Sequence, residues 1–480
     1  MTGTPGLSIR DAIDSLRATD DHIVHADELR PDRIALDFAQ RFAGIPANSR
    51  SRAERAVLYR ATGSDIPVLL GLYGCEDRVR SWLPGLPAKA NAATAGELLE
   101  RIEKPEHVDD PACQQRVEIE DVDLARLPVL RTTPRDAGPY LTMGMVHAHD
   151  PRTDETALSV HRMLVLDRNR LAIWMVPGRR LRMMHEEVIQ RSGRLPVSIS
   201  IGAPPAAIVA SALSSSVLHP GVGKLAFAGA LAGAPVSVAT GVSQPVPVLA
   251  ESEIVLEGYL DQQVADESLS DRPDVSPDVS LPEFLGYDGE ARSDLPVLTV
   301  TAVTTRQDPV YQAVIGPGRE QSVILGLAGA LSVALSGNDA DWQLLEDLHY
   351  SAAGGGMLML TIAVRTGPVS SAGRLEHIAR RIFDRHRFVK LIVFTDTDVD
   401  IRCAEDVCWA ITTRSNLGTD CTTLGGYRPL AMDPSQSEMW SRARGSDGGS
   451  IRTFVDATVP WELRATAVRS FPSLVDGADR

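Results

Sequence analysis

Hydrophobic positions near the start of the chain follow a helical period and then an extended one. Apolar residues recur at helical spacing in 8–19, behind a serine suited to a helix N-cap, and again in 32–42. An apolar run at 67–74 predicts a strand, and 95–104 predicts another helix. Together these segments predict a small α/β unit that ends near residue 110, where prolines become frequent.

The next part of the chain is mostly β-prone and the last part alternates strand with helix. Short apolar runs separated by turn residues fill 140–305, which favours a barrel or a sandwich. A helix with two prolines at its start interrupts them at 204–215. The polar run 261–282 predicts a loop, and 319–335 predicts a buried helix. The alternating strands and helices that follow are typical of a parallel α/β domain.

Composition narrows the function classes. The 480 residues carry a net charge of -15, which argues against nucleic acid or an anionic membrane as partner. No run of about 18 apolar residues is present, and the N-terminus lacks the pattern of a signal peptide. The five cysteines contain no C-x-x-C pair and predict reduced thiols. We therefore expect a soluble cytoplasmic protein that acts on small molecules.

Eight segments of the chain, in one order, resemble the UbiD decarboxylase family. They are 159–180, 201–212, 226–238, 253–258, 282–289, 300–311, 389–414 and 456–460. The resemblance covers roughly residues 110–460. It implies a multi-domain α/β protein with an N-terminal α/β unit (1–110), a flavin-reductase-like split β-barrel (111–310), a linker helix (311–345) and a C-terminal α/β domain (346–480). It also implies a homodimer or larger homo-oligomer.

The resemblance implies prenylated FMN as cofactor, a flavin prenyltransferase as its supplier, and an unsaturated or aromatic carboxylic acid as substrate. The segment SVHRM puts Arg162 where the family binds the substrate carboxylate, a group that a guanidinium fork suits. The segment 278–287 puts Glu283 at the family's proton donor. It also puts Asp278, one methylene shorter than the family's glutamate, beside the arginine. Solvated loop charges are the alternative for both carboxylates.

The same resemblance implies the cofactor contacts. Ser159, Val160, Pro204 and Lys390 fall at cofactor positions. The family holds the flavin phosphate through a divalent metal and potassium, with an Asn, a His and a Glu as ligands. Here those three positions are occupied by Ala157, Arg180 and Lys224.

A methyl group and two cations cannot chelate a divalent metal, so no metal is predicted. Two cations can neutralise a phosphate directly, as Arg180 and Lys224 would here; loss of the phosphate site is the alternative.

Two acidic motifs are expected to be structural. Glu251, Glu253 and Glu257 alternate along a predicted strand, and ion pairs are our interpretation of them. The run 395–401 resembles a metal motif, but in the family it follows a strand of the C-terminal domain, so we expect no metal there.

Three hypotheses remain open at this stage. The first is a prenylated-FMN decarboxylase with a metal-free phosphate site. The second is a decarboxylase that uses Arg162, Asp278 and Glu283 without a flavin. The third is a non-catalytic scaffold or binding subunit of the same family. Retention of Arg162 and Glu283 favours the enzymes, whereas loss of the metal ligands favours the second and third.

Overall fold

The computed structural model describes residues 4–17, 23–43, 53–150, 152–219, 221–268, 280–282, 285–316, 318–365, 367, 371–430, 432–445, 450–467 and 469. The chain divides into two compact units. The first consists of Met1–Leu86 and Leu98–Ile324, and the second of Pro87–Glu97 and Leu325–Arg480. The four-part division expected from the sequence is finer than this and stays a prediction.

The described helices are α1 (Ile9–Arg17), α2 (Pro31–Phe38), α3 (Glu76–Trp82), α4 (Ala92–Glu100), α5 (Arg180–Ser192), α6 (Pro205–Ser211), α7 (Lys224–Ala232), α8 (Arg319–Ala334), α9 (Ser371–Arg385), α10 (Ala404–Arg414) and α11 (Glu438–Ala443). The described strands are β1 (Val24–Leu29), β2 (Val57–Ala61), β3 (Val68–Leu70), β4 (Glu106–His107), β5 (Arg116–Glu118), β6 (Tyr140–Asp150), β7 (Glu155–Val165), β8 (Arg170–Ile173), β9 (Leu195–Ile201), β10 (Ser237–Thr240), β11 (Pro247–Leu249), β12 (Ile254–Ala265), β13 (Ser280–Pro282), β14 (Asp288–Glu290), β15 (Leu295–Thr305), β16 (Tyr311–Gln312), β17 (Leu345–Tyr350), β18 (Met359–Val364), β19 (Leu391–Thr395), β20 (Cys421–Tyr427) and β21 (Ser450–Ala457).

Six of these strands close into an antiparallel barrel in the first unit. Their order is β12, β9, β6, β7, β8, β15, and β15 returns to pair with β12. Closure pairs every strand on both sides, so the barrel exposes no free strand edge. Apolar residues of these strands, among them Val146, Met163, Ile199, Leu256 and Leu298, are buried in one core. The mixed α/β fold with a barrel that the sequence predicts is confirmed.

The first unit also contains a four-stranded sheet, β1–β2–β3–β16, beside two buried carboxylates. Glu320 accepts hydrogen bonds from the backbone N–H groups of Gly71 (2.8 Å) and Tyr73 (2.9 Å). Glu54 accepts one from the backbone N–H of Arg319 at the start of α8. Burial raises the pKa of Glu54 to about 7 and that of Glu320 to about 8, the latter helped by the Glu54 charge.

The second unit is built on the five-stranded sheet β17–β18–β19–β21–β20. Strands β18, β19 and β21 are parallel, while β17 and β20 pair antiparallel at the two edges. Asp396 and Asp398 follow β19 in the chain and belong to the acidic run 395–401, which was expected to be structural. Both pair with Arg414, Asp396 at 3.1 Å and Asp398 at 2.5 Å. The parallel α/β character predicted for this part of the chain agrees with these pairings.

Most predicted helices are present, and the differences have physical causes. Helices α1 and α8 lie within the predicted 8–19 and 319–335. The predicted loop at 261–282 is wrong for its first five residues, which continue β12, and for its last three, which form β13. Helix α7 escaped prediction because it is buried on nearly every side and so lacks a polar stripe. Within the described residues, no helix combines the length and apolarity needed to cross a membrane.

Candidate active site

Strand β7 carries predicted site residues on both of its faces. Side chains alternate along a strand, so Val160 and Arg162 lie on one face and Ser159 and His161 on the other. The His161 ring binds the Ser159 hydroxyl through Nε2 and the Trp174 carbonyl through Nδ1, both at 2.8 Å. A carbonyl only accepts, so Nδ1 carries the proton and Nε2 accepts from serine. Burial lowers the pKa of His161 to about 4, so the ring is neutral.

The Arg162 face contains a buried carboxylate. Arg162 Nη2 lies 3.5 Å from Glu267 Oε1, and the Glu267 side chain is 1% exposed. The Tyr140 hydroxyl donates to Glu267 Oε2 at 3.1 Å. The Arg162 guanidinium carbon lies 6.0 Å from the centre of the Tyr140 ring. Glu267 therefore joins an arginine and a phenol in one buried cluster.

Backbone contacts fix Glu267 in this position. Its N–H donates to the Arg292 carbonyl (2.8 Å), and the Arg292 N–H donates to Glu267 Oε1 (3.2 Å). The Arg292 guanidinium lies 3.8 Å from the centre of the Trp174 ring. Burial raises the pKa of the Glu267 carboxyl, while the Arg162 charge and the Tyr140 hydrogen bond oppose the rise.

Glu267 was missed by sequence reasoning, which treated its surroundings as a polar loop. Its position two residues after the end of the long strand β12 is a signal that could have identified it. Asp278 and Glu283, the carboxylates that the sequence predicts, lie outside the described residues. The Arg162–Asp278 pair and the proton donor therefore stay predictions. The nearby hairpin of β13 and β14 is described, with Leu281 opposite Gly289.

The other face of β7 is rich in positive charge. Lys224, the first residue of α7, donates from Nζ to the carbonyls of Leu158 (3.0 Å) and Ser211 (2.6 Å). Burial lowers the pKa of Lys224 to about 7, and the neighbouring Arg179 lowers it further. Two cations that repel each other suit an anion such as a phosphate.

The residues at the three positions where the family binds its metal do not fit one here. Ala157 is buried on β7, and Arg180 pairs with Glu155 at the start of α5. Lys224 directs its ammonium to backbone carbonyls. Among the described residues, no group of three His, Cys, Asp or Glu side chains is arranged to hold a metal. This donor set suits an anion and not a divalent cation.

The remaining predicted cofactor residues are less informative. Pro204 is buried at the N-cap of α6, and Val160 is half-buried. Lys390, in the second unit, pairs with Asp433 (2.6 Å) and donates to the Ser435 hydroxyl (2.6 Å). Its cofactor contact stays a prediction.

The acidic residues before and within β12 act structurally. Glu253 pairs with Arg10 (2.8 Å) and Arg306 (3.4 Å), and Glu251 pairs with Arg306. These three ion pairs confirm the ion-pair interpretation for Glu251 and Glu253. Glu257 differs, because its carboxylate accepts hydrogen bonds from three consecutive backbone amides of a loop.

Comparison with known sequence families defines the class. Residues 106–320 match the 3-octaprenyl-4-hydroxybenzoate carboxy-lyase Rift-related domain of UbiD, and 328–450 match the C-terminal domain of the same carboxy-lyase. The chain belongs to the UbiD family of carboxy-lyases. The predicted family and enzyme class are thereby confirmed.

Individual relatives narrow the resemblance. The chain is 30% identical to gallate decarboxylase of Lactiplantibacillus plantarum over 348 residues, which is 72% of this chain and 70% of the relative. It is similar to the structure of apo 3,4-dihydroxybenzoic acid decarboxylase of Klebsiella pneumoniae, with 29% identity, a TM-score of 0.86 and 97% of each chain covered. The UbiD-class enzyme HmfF of Pelotomaculum thermopropionicum, in complex with FMN, gives 25% identity, a TM-score of 0.81 and 98% coverage of both chains.

Proposed function

We propose that this chain decarboxylates a hydroxylated aromatic acid with prenylated FMN as cofactor. The observation that carries the proposal is the buried Arg162–Glu267–Tyr140 cluster on the barrel. The similarity to gallate and 3,4-dihydroxybenzoic acid decarboxylases supports a phenolic acid as substrate.

Arg162 binds the substrate carboxylate in this proposal. Its side chain is 22% exposed, whereas that of its partner Glu267 is almost fully buried. Glu267 limits the orientations of the guanidinium and balances part of its charge. A planar, permanently charged fork then receives the carboxylate in two hydrogen bonds.

The cofactor phosphate lies near the cationic face of β7 in this proposal. Lys224, Arg179 and Arg180 provide the positive charge, and Ser159 provides a hydroxyl. When bound, prenylated FMN supplies the electron sink that decarboxylation requires. The protein orients the acid and controls the proton.

Glu283 is the proposed proton donor. Loss of CO2 breaks a carbon–carbon bond, and the carbon left behind takes a proton to form a C–H bond. A carboxylic acid near a departing carboxylate has a raised pKa and can give that proton near neutral pH. Asp278 is the proposed second acidic neighbour of Arg162, beside Glu267.

The test uses protein produced together with a flavin prenyltransferase. Absorbance and mass spectrometry measure the bound flavin, and the same sample is incubated with gallate, 3,4-dihydroxybenzoate and cinnamate in D2O. We expect a modified flavin and one carbon-bound deuterium in the phenol formed from gallate or 3,4-dihydroxybenzoate. Turnover without bound flavin would favour the flavin-independent enzyme. Absence of turnover, whether or not flavin is bound, would favour a scaffold.

We further propose that the chain works as a cytoplasmic homo-oligomer. The family resemblance supports this assembly. Sedimentation of the purified protein at several concentrations measures it, and a monomer at all of them would contradict it.

A further inference from the structure

The Lys224 ammonium is bound in an unusual way for a lysine. Its two hydrogen bonds go to backbone carbonyls, Leu158 O on β7 and Ser211 O at the end of α6. Among the described residues, no carboxylate forms an ion pair with it. The ammonium therefore joins three elements, β7, α6 and its own helix α7, through their backbone.

Carbonyl oxygens at such distances are typical ligands of a monovalent cation. Potassium sites in proteins are built from backbone carbonyls that replace the water around the ion. Ser211 is the last residue of α6, where carbonyls lack the amide that would bind them inside a helix. An ammonium has three N–H donors and no acceptor. Two reach carbonyls here, and the third is available for an anion.

The position of this lysine adds to the argument. Lys224 is the first residue of α7, and it binds the carbonyl of Leu158 on β7. Ala157, which stands at the position of the family's asparagine ligand, directly precedes Leu158 in the chain. A free cation between the same carbonyls would meet the ammonium at contact distance. The protonated ammonium and a free cation exclude each other.

We propose that Lys224 is a tethered monovalent cation, which replaces the metal ions at the phosphate end of the cofactor site. The ammonium holds β7 and α6 together and leaves one donor for the phosphate. This inference rests on the proposed function for the identity of the anion. It makes flavin binding independent of both divalent metal and potassium.

The experiment measures FMN affinity by fluorescence and Tm by thermal unfolding. The reference buffer contains EDTA with tetramethylammonium, an ion too large for the carbonyl pair. Potassium or methylammonium is added to this buffer, and Mn²⁺ is added to the tetramethylammonium buffer without EDTA. For the wild type we expect the same affinity and Tm in all of them. A gain with potassium or with Mn²⁺ would overturn the proposal.

Variants test the tether itself. Lys224→Ala should bind FMN at least about tenfold more weakly in tetramethylammonium, the size of one charge-assisted hydrogen bond, and should recover with potassium or methylammonium. Lys224→Met fills the space with an apolar chain and should not recover. The exposed Lys104 provides the control Lys104→Met, which should behave as the wild type.

Two results with Lys224→Ala would refute the inference. One is unchanged FMN affinity and Tm in tetramethylammonium. The other is a loss that no small cation restores. If this variant does not fold, the wild-type comparison still decides. Neither arm measures decarboxylation, so an inactive wild type that binds FMN without metals would contradict only the proposed function.

Discussion

The hydroxyl of Tyr140 provides the sharpest test of the buried cluster. Tyr140→Phe keeps the ring beneath Arg162 and removes the donor to Glu267 Oε2. A hydrogen bond to an ionised group contributes about 1.5–3 kcal/mol, and 3.1 Å is long for O–H···O, so the lower figure applies. We expect kcat/KM to fall roughly tenfold, mainly through KM, because in the proposed function Arg162 binds the substrate carboxylate.

The pH dependence separates this effect from a general loss of packing. The tyrosine stabilises the ionised form of Glu267, so its removal raises the pKa of that carboxyl beyond the rise that burial already causes. Protonated Glu267 cannot pair with Arg162. The acid limb of the kcat/KM profile should therefore move to higher pH.

The assay is initial rate against pH for the holoenzyme, with flavin occupancy measured on each sample. Tyr259→Phe is the control, because Tyr259 lies on the same barrel but packs beneath Arg194, 4.2 Å from its ring centre. A Tyr140→Phe enzyme with the KM and acid limb of the wild type would show that the hydroxyl does not position Glu267.

Three further predictions concern single charges. Arg162→Lys should lower kcat/KM by about 100-fold, because an ammonium cannot form the two-point contact with a carboxylate. Steady-state kinetics at equal flavin occupancy measure this loss, and a loss of only a few-fold would count against Arg162 as the carboxylate site. Glu283→Gln should lower kcat by about 10²–10⁴-fold and abolish deuterium uptake at the product carbon, while cofactor binding is retained. Near-normal turnover would contradict Glu283 as the proton donor and make Asp278 the next candidate. Glu54 and Glu320 have raised pKa values, so their contribution to stability is complete below the ordinary value of 4.5 and lost as pH rises through about 7 to 8. Glu54→Gln keeps an acceptor for the Arg319 N–H and should reduce that alkaline loss by on the order of 1 kcal/mol, read from Tm against pH; equal loss in both proteins would contradict it.

The sequence predicted the barrel and Arg162 for different reasons. Short apolar runs with turn residues between them report strands directly, because alternation follows from the geometry of a strand. That pattern left a barrel or a sandwich open, and the resemblance to a known family indicated the barrel. Arg162 was found through the segment SVHRM, whose resemblance to a known family supplied what residue type alone could not.

The contacts of the site could not be predicted in the same way. Glu267 is one of several acidic residues in a polar run, and only the folded chain shows which of them is buried against Arg162. The ligands of Lys224 are backbone carbonyls, which every residue has, so no sequence pattern marks Leu158 or Ser211 as its partners. The pairing of Arg180 with Glu155 depends on how α5 begins, which the sequence pattern did not show.

Strand β7 constrains how this enzyme can be engineered. In the proposed function, residues for the substrate and residues for the phosphate alternate along it, so a substitution at one position leaves the opposite face untouched. A one-residue insertion or deletion would instead exchange the faces, turning Arg162 toward the phosphate side and Ser159 toward the substrate. Because β6 and β8 hold β7 in register on both sides, such a change would also break the closed barrel. Directed evolution of new substrate ranges should therefore proceed here through point substitutions at alternate positions, with the length of the strand kept constant.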